Sequence, residues 1–298
     1  MINLQKEKIE RIEKYIENNA RSLDKAFYKF HTHGGSSDAV FAELARYQNK
    51  DGGFGNALEP DMRQPQSTSI ATWFAFQYLK DIPEAKDHKM TKRALEYFTQ
   101  TLDKEKTSWP VVVPEVDQHP HAPWWNYDFA IEHFGWGNPA AEVLGLFIQY
   151  GDESHQDLID RLTDKALIRI NEVPPSDFHE VFCFKALYEL ANGELQEQLK
   201  EPLTSLIKQA VSTNPDEWTD YVATPLKFLA GPDDQFASLF DQSLIEQNIQ
   251  FVLSKLQDDH WEPNWSWQEQ YPEAWETARQ EWSGELTVRN VLQLRKFL

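Results

Sequence analysis

Apolar residues recur at intervals of three and four positions along most of the chain, which is the spacing of amphipathic helices. Short polar stretches such as "HGGSSD" (33–38), "VPPSD" (173–177) and "AGPDD" (230–234) separate these segments and are typical of helix boundaries. The pattern predicts helices over 4–30, 37–48, 68–81, 90–102, 139–150, 156–171, 177–191, 196–212, 219–229, 240–256, 272–282 and 286–297.

The chain shows no convincing strand pattern. "VVVP" (111–114) is too short to carry a sheet, and it lies in a long irregular stretch from Thr107 to Pro139. About eleven or twelve helices joined mostly by short turns indicate an all-α protein of antiparallel helix pairs. Because no Ser/Gly-rich linker interrupts the chain, we predict a single domain over residues 1–298.

Composition and charge narrow the class. Hydrophobic residues make up 41% and charged residues 26%, as in ordinary globular proteins, and no apolar run reaches the length that spans a bilayer. The charged start lacks the apolar centre of a signal peptide, and the single cysteine, Cys183, fits a reducing compartment, so we expect a cytoplasmic protein. The net charge of −19 repels phosphate backbones, so we expect no nucleic-acid partner.

The stretch "QNKDGGFGN" (48–56) holds three of the twelve glycines. A phosphate-cradling loop follows a strand and opens a helix, and this context is missing here. We therefore interpret the stretch as structural. Gly52 and Gly53 would supply positive φ angles for a sharp reversal, Asp51 would cap loop N–H groups, and Phe54 would pack on the helix pair.

A weak internal repeat accompanies this stretch. Gln48 is followed by an acid and an aromatic, and Gln257 is followed by two acids and Trp261. A fainter copy follows Gln100. The separation of 257 − 48 = 209 residues would hold about four or five helix pairs.

The segment "LARYQNKDGGFGNALEPDMRQPQSTSIATWFAFQYL" (44–79) resembles the Gln-x-x-Asp-Gly-Gly-Phe/Trp-Gly repeat of the prenyltransferase and squalene-cyclase superfamily. Its Ser67–Ser69 match the Ser/Thr-rich start of an inner helix, and "LQDDHWEP" (256–263) is similar with a shorter gap. The resemblance implies an α/α toroid, with inner helices around a central cavity, and an isoprenoid or similarly apolar ligand.

Two catalytic motifs of that superfamily are missing. Gly231 and Leu256 stand where an Asp-x-Asp-Asp motif would need its first acid, before Asp233-Asp234 and Asp258-Asp259. Val181 stands two positions before Cys183, so the Asp-x-Cys zinc pair of the protein prenyltransferases is also missing. Cys183 is more simply a buried apolar side chain.

The first candidate site lies in "WPVVVPEVDQHPHAPWWNYDF" (109–129). Its prolines favour extended backbone, in which alternate residues share a face, so four side chains could bind a divalent metal or act as acid and base. We predict the carboxylates as catalytic, the imidazoles as metal ligands and the next three residues as substrate contacts: Glu115, Asp117, His119, His121, Trp124, Trp125 and Asn126. The alternative is a solvated loop whose tryptophans close the barrel end.

Two further segments are candidates. Glu59 and Asp61 would be catalytic near the cavity mouth, with Arg63 beside a helix N-terminus that could hold an anion. The alternative is a surface ion pair. Trp261 and Trp265 would add aromatic walls, which suit apolar ligands, carbocations or sugars.

Three functions fit these observations. The first is an enzyme acting on an isoprenoid or similarly apolar substrate in the central cavity. The second is a carbohydrate-active (α/α) barrel enzyme, which needs paired carboxylates and tryptophan platforms. The third is a non-catalytic toroid that binds a ligand or a protein.

Overall fold

The structure, a computed structural model, describes residues 6–297. Over this range the backbone forms twelve α-helices joined by turns, 3₁₀ segments and isolated β-bridges, without an extended strand. The all-α prediction is confirmed. The helices are α1 (Lys6–Asn19), α2 (Ser22–Thr32), α3 (Ser37–Leu44), α4 (Ser69–Leu79), α5 (Lys89–Thr101), α6 (Tyr127–His133), α7 (Gly137–Tyr150), α8 (Gln156–Arg169), α9 (Phe178–Leu190), α10 (Gly193–Ala210), α11 (Gln242–Ser254) and α12 (Pro272–Phe297). None of these helices combines the length and apolarity needed to cross a membrane.

The chain divides into two compact units. One consists of the chain up to Leu44 together with the chain from Val211 onwards, and the other is Ala45–Ala210. We describe each unit separately. The single-domain interpretation stays a prediction, since compact units of this size occur within one domain as well as between domains.

The unit Ala45–Ala210 contains three helix pairs and the short helix α6. α4 packs on α7 and α7 packs extensively on α9, while α5, α8 and α10 each pack on the helix that precedes them. Trp73 and Gln77 are the α4 residues that keep partial exposure, whereas α5, α8 and α10 each bury a single face. The unit therefore has an inner layer of fully packed helices and an outer layer of amphipathic ones.

A buried carboxylate ties α8 of the outer layer to α9 and α7 of the inner layer. Glu180 on α9 accepts hydrogen bonds from Arg169 Nε and Nη2 at 2.8 and 2.7 Å, and from the backbone N–H of Gly137 at 2.7 Å. A β-carbon at Gly137 would lie 2.7 Å from Glu180 Oε1, so the glycine allows the close approach. This fully paired glutamate joins α8, α9 and the start of α7.

The Gly-rich stretch is structural, as predicted. Gln48 Nε2 donates to the carbonyls of Gly52 and Met90 at 2.8 and 3.0 Å, which fixes the loop on the first turn of α5. Asp51 Oδ1 accepts the N–H of Gly53 and the hydroxyl of Ser67 at 3.0 and 2.8 Å. These bonds tie the loop to α5 and to the segment that precedes α4.

The two glycines of this stretch have different roles. Gly52 has a φ of 93°, in the left-handed region, and Gly53 does not. The expectation of a positive φ at Gly53 is therefore wrong. That position requires glycine because a β-carbon there would lie 2.7 Å from the Tyr97 ring.

In the other unit, α12 packs against α1 and α2, and α2 packs against α3. The predicted break between 282 and 286 is wrong, because α12 continues through Gly284. A β-carbon at position 284 would lie 2.8 Å from the Cα of Ala20, so this close contact requires glycine. The predicted helix over 219–229 is also wrong. Pro225 restricts the residue before it, and only a 3₁₀ turn, Pro225–Phe228, forms.

Candidate functional site

Two of the predicted segments lie side by side in the unit Ala45–Ala210. The N–H of Arg63 donates to the carbonyl of Pro120 at 2.9 Å, and the N–H of Ala122 donates to the carbonyl of Asp61 at 2.8 Å. This antiparallel arrangement sets Met62 opposite His121. We call residues 59–64 and 119–125 the ribbon site. Its existence follows from backbone geometry, and its function stays a prediction.

Titratable side chains of the ribbon site are unusually buried. Glu59, Asp61 and His121 are 5%, 3% and 4% exposed. Charged residues are seldom buried to this degree because leaving water costs free energy. Since directly opposed residues point to the same face of a two-stranded ribbon, His121 shares its face with the core residue Met62.

The ribbon site buries polar side-chain atoms that make no hydrogen bond, among them those of Gln64 and Trp125. Gln64 is 2% exposed, and neither its Nε2 nor its Oε1 has a partner among residues 6–297. Trp125 is 6% exposed, and its Nε1 likewise has no partner in the described part of the chain. The Trp125 ring stacks on Phe134, with ring centroids 4.9 Å apart. Buried orphan groups of this kind are few in native proteins and call for an explanation.

The chain enters the ribbon site through strained backbone. Asn56 and Ala57 have φ angles of 56° and 60°, which non-glycine residues seldom adopt. The N–H of Asn56 donates to the carbonyl of Gln64 at 3.0 Å, so the loop closes on itself. Such strain persists where the surrounding structure enforces it, often at functional sites.

Glu115, Asp117, His119 and His121 do not share one extended face, although Asp117 Oδ1 lies 3.7 Å from His121 Nε2. Pro114–Gln118 is a 3₁₀ turn and not extended chain, so alternate residues do not align there. No group of three or more His, Cys, Asp or Glu side chains that could hold a metal occurs between residues 6 and 297. The geometry therefore gives the metal prediction no support.

Asp117 has a structural position instead. Its Oδ1 accepts the N–H of Tyr127 at 3.0 Å and Asn126 Nδ2 at 3.1 Å, at the start of α6. Asn126 is itself the N-cap of α6, accepting the N–H of Phe129 at 3.3 Å. Both side chains thus stabilise a helix terminus. Trp124 remains half-buried beside Trp125.

Several of the donors that the predicted anion site at the start of α4 would need are used within the protein. Thr68 is the N-cap and accepts the N–H of Ala71 at 3.0 Å. The N–H of Ile70 donates to the carbonyl of Val111 at 3.2 Å. These donors are already used within the protein, and Arg63 Nη1 donates to the carbonyl of Pro60 at 3.3 Å.

Trp261 and Trp265 belong to the other unit. Trp261 is 3% exposed, and its indole N–H donates to the carbonyl of Val252 at 2.8 Å, so it is a fully bonded core residue. Trp265 meets Trp282 edge to face at 5.3 Å. Their contribution to the ribbon site stays a prediction.

Glu142, a buried carboxylate within the apolar α7, was not among the residues predicted from the sequence. Its Oε2 accepts Trp73 Nε1 at 2.6 Å, and its Oε1 accepts Gln77 Nε2 at 3.1 Å and Lys80 Nζ at 3.3 Å. Trp73 and Gln77 are the two part-exposed residues of α4. A single acid in the run "AAEVLGLF" (140–147) was the signal for a buried polar contact.

Cys183 is inert in this setting. It is 2% exposed, and burial, followed by the charges of Glu142 and Glu180, raises the pKa of its thiol well above its usual range. A protonated, buried thiol is a poor nucleophile and a poor metal ligand. The interpretation of Cys183 as a small apolar side chain agrees with this environment.

No family model, curated protein or solved structure matches this chain in the comparisons with known proteins. The resemblance of residues 44–79 to the prenyltransferase and squalene-cyclase repeat therefore stays a prediction that depends on the motif.

Proposed function

We propose that the protein is an enzyme that transforms a small organic molecule at the ribbon site, with Glu59 and Asp61 as its acid and base. The observation that carries this proposal is the burial of both carboxylates, together with His121, at the junction of two segments distant in sequence. Buried titratable groups in one place are typical of catalytic sites, where the environment tunes proton transfer.

The substrate we propose is an isoprenoid or similarly apolar molecule. The repeat motif supports this choice, as do the buried apolar side chains of the ribbon site, Met62 and Trp125, and the Phe134 ring on which Trp125 stacks. The three inner–outer helix pairs are consistent with an α/α toroid, which we keep as the proposed architecture. The second candidate is a glycoside, since the two carboxylates and the half-buried Trp124 indole suit a sugar.

The proposed setting is the cytoplasm, without nucleic acid as a partner. A single buried cysteine fits a reducing compartment, and the net charge of −19 opposes binding to phosphate backbones.

The test compares wild type with Glu59→Gln and Asp61→Asn. Small molecules extracted from each purified protein are identified by mass spectrometry, and the melting temperature is measured with farnesol or cellobiose added. We expect an extracted or added apolar molecule to raise the melting temperature of wild type, and both variants to lose turnover of that molecule. Glu132→Gln is the matched control, because Glu132 is an exposed carboxylate on the nearby α6.

Two results would contradict the proposal. If neither compound class binds wild type, the ribbon site is not a small-molecule site. If both variants lower the melting temperature of the free protein by many degrees, the carboxylates are structural. Binding of cellobiose without farnesol would favour the second candidate.

A further inference from the structure

We infer that the ribbon site recognises a neutral head group that carries a hydroxyl, through the amide of Gln64 and the indole N–H of Trp125. The substrate would then be an alcohol and not a diphosphate. This inference depends on the proposed function, because it names the chemical class of the ligand at the same site.

Gln64 supplies the first part of the argument. A primary amide has two N–H donors and an acceptor oxygen, and burying these groups without partners is costly. Both amide atoms of Gln64 are buried and have no hydrogen-bond partner among the described residues, and the residue as a whole is 2% exposed. In a chain that alternates sides, Gln64 lies on the face of Met62 and therefore of His121.

Trp125 supplies a third unpartnered group. Its N–H is buried in the segment that pairs with 61–63, while stacking on Phe134 fixes the ring. The site thus offers the amide N–H groups of Gln64 and the indole N–H of Trp125 as donors, and the amide oxygen of Gln64 as an acceptor. These groups match a hydroxyl, which accepts hydrogen bonds through its oxygen and donates its proton. A purely apolar ligand would leave all three atoms unpaired.

The charges of the site argue against a diphosphate. Glu59 and Asp61 are buried in the ribbon site, and Arg63 is its single formal cation. Arg63 supplies one positive charge, and no group of three or more His, Cys, Asp or Glu side chains that could hold a metal occurs within residues 6–297. A diphosphate would add like charge next to two carboxylates, which is unfavourable without a compensating cation.

The experiment measures melting temperatures of wild type and variants with farnesol, and with farnesyl diphosphate plus Mg²⁺. Gln64→Leu removes the amide, and Trp125→Phe removes the N–H while keeping a ring for stacking. We expect farnesol to raise the melting temperature of wild type and to lose this effect in both variants. Free Gln64→Leu should melt at or above the temperature of wild type, because it lacks the buried orphan amide.

Thr91→Val is the matched control. The Thr91 hydroxyl is also buried and without a partner in the described chain, but it lies on α5, outside the ribbon site. The variant should gain stability in the same way and keep the farnesol response.

The outcomes separate this inference from the proposed function. If farnesyl diphosphate stabilises wild type and Gln64→Leu equally, the inference about a hydroxyl head group is wrong. The proposal that the ribbon site binds a small molecule would then still stand. The same holds if Glu59→Gln abolishes the farnesol response and Gln64→Leu leaves it intact. A large fall in melting temperature of free Gln64→Leu would make the amide structural and overturn the inference. If no compound stabilises wild type, the proposed function fails, and the inference fails with it.

Discussion

The backbone N–H of Phe54 donates a hydrogen bond to the hydroxyl of Thr72 at 3.0 Å, and this hydroxyl donates to the carbonyl of Thr68 at 2.7 Å. The same arrangement occurs at the other end of the chain, where the N–H of Trp261 donates to Thr287 at 3.0 Å. Thr287 in turn donates to a carbonyl one helical turn earlier, at 2.6 Å. The weak sequence repeat therefore corresponds to one local structure formed twice, with a buried aromatic tied to the following helix.

This relationship predicts a loss of stability in Thr72→Val. Valine has the shape of threonine but cannot accept the hydrogen bond, so the buried N–H of Phe54 would lose its partner at a cost of about 1–3 kcal/mol. Urea denaturation monitored by circular dichroism gives the free energy of unfolding. Thr287→Val should show a similar loss.

Thr72→Ser is the control, since it keeps the hydroxyl. It should retain more stability than Thr72→Val. A valine variant as stable as wild type would mean that the bond contributes nothing and that the repeated geometry has no energetic role.

The glycines of the Gly-rich stretch should tolerate alanine poorly for two separate reasons. At Gly52 the φ of 93° strains any L side chain, and a β-carbon would lie 2.3 Å from the carbonyl oxygen of Arg93. At Gly55 a β-carbon would lie 2.2 Å from the carbonyl oxygen of Gln66. We expect each alanine variant to lose more than about 1 kcal/mol in urea denaturation.

Gly231 offers the comparison, because its φ is not positive and a β-carbon would meet nothing closer than 3.8 Å. Gly231→Ala should be close to neutral. Equal stability of the Gly52, Gly55 and Gly231 variants would contradict the structural interpretation of the stretch.

Local signals in the sequence predicted most of the helices but not all of their ends. The periodic apolar positions of α4, α5, α8 and α9 place these helices within about two residues of their observed bounds. The boundary near Gly284 was misjudged because the glycine serves a tertiary contact with Ala20, which no local pattern encodes. Tertiary packing overrides glycine's low helix propensity there.

The candidate site was predicted in part. Both of its segments were predicted from the sequence, whereas their pairing depends on backbone contacts between residues distant in sequence. The shared face of Glu115 and Asp117 failed because proline favours a 3₁₀ turn as readily as an extended chain. Gln64 was missed because an unpartnered amide is a property of packing and cannot be read from residue order.

The Glu142 network predicts an order of energetic effects. Glu142→Leu should cost the most, since it leaves the Trp73 and Gln77 donors without their acceptor. Trp73→Phe removes one hydrogen bond to a charged group and should cost about 1–2 kcal/mol. Lys80→Ala should cost under about 1 kcal/mol, because Lys80 is 32% exposed and solvent screens its charge.

The three free energies of unfolding come from urea titrations at one pH and ionic strength. Repeating them at high salt tests the assignment, because salt should reduce the effect of Lys80→Ala and leave that of Trp73→Phe unchanged. If Lys80→Ala proves the most destabilising, the ion pair and not the hydrogen bonds holds α4 against α7.

The buried thiol of Cys183 predicts a specific dependence on pH. Its pKa is raised in the folded protein, while an unfolded thiol ionises near pH 8.5. The folded state therefore keeps its proton where the unfolded state loses it. The contribution of this group to stability is fully present below about pH 8.5 and is lost as the pH rises towards the folded pKa. We expect the free energy of unfolding to fall above about pH 8.5, and to fall less steeply in Cys183→Ala.

In native buffer at pH 8 the thiol of Cys183 should react with a disulfide reagent many times more slowly than in concentrated urea, because the reactive thiolate is both scarce and enclosed. Rapid labelling of the native protein would show that the α7–α9 contact opens readily and that Cys183 is accessible to chemistry after all.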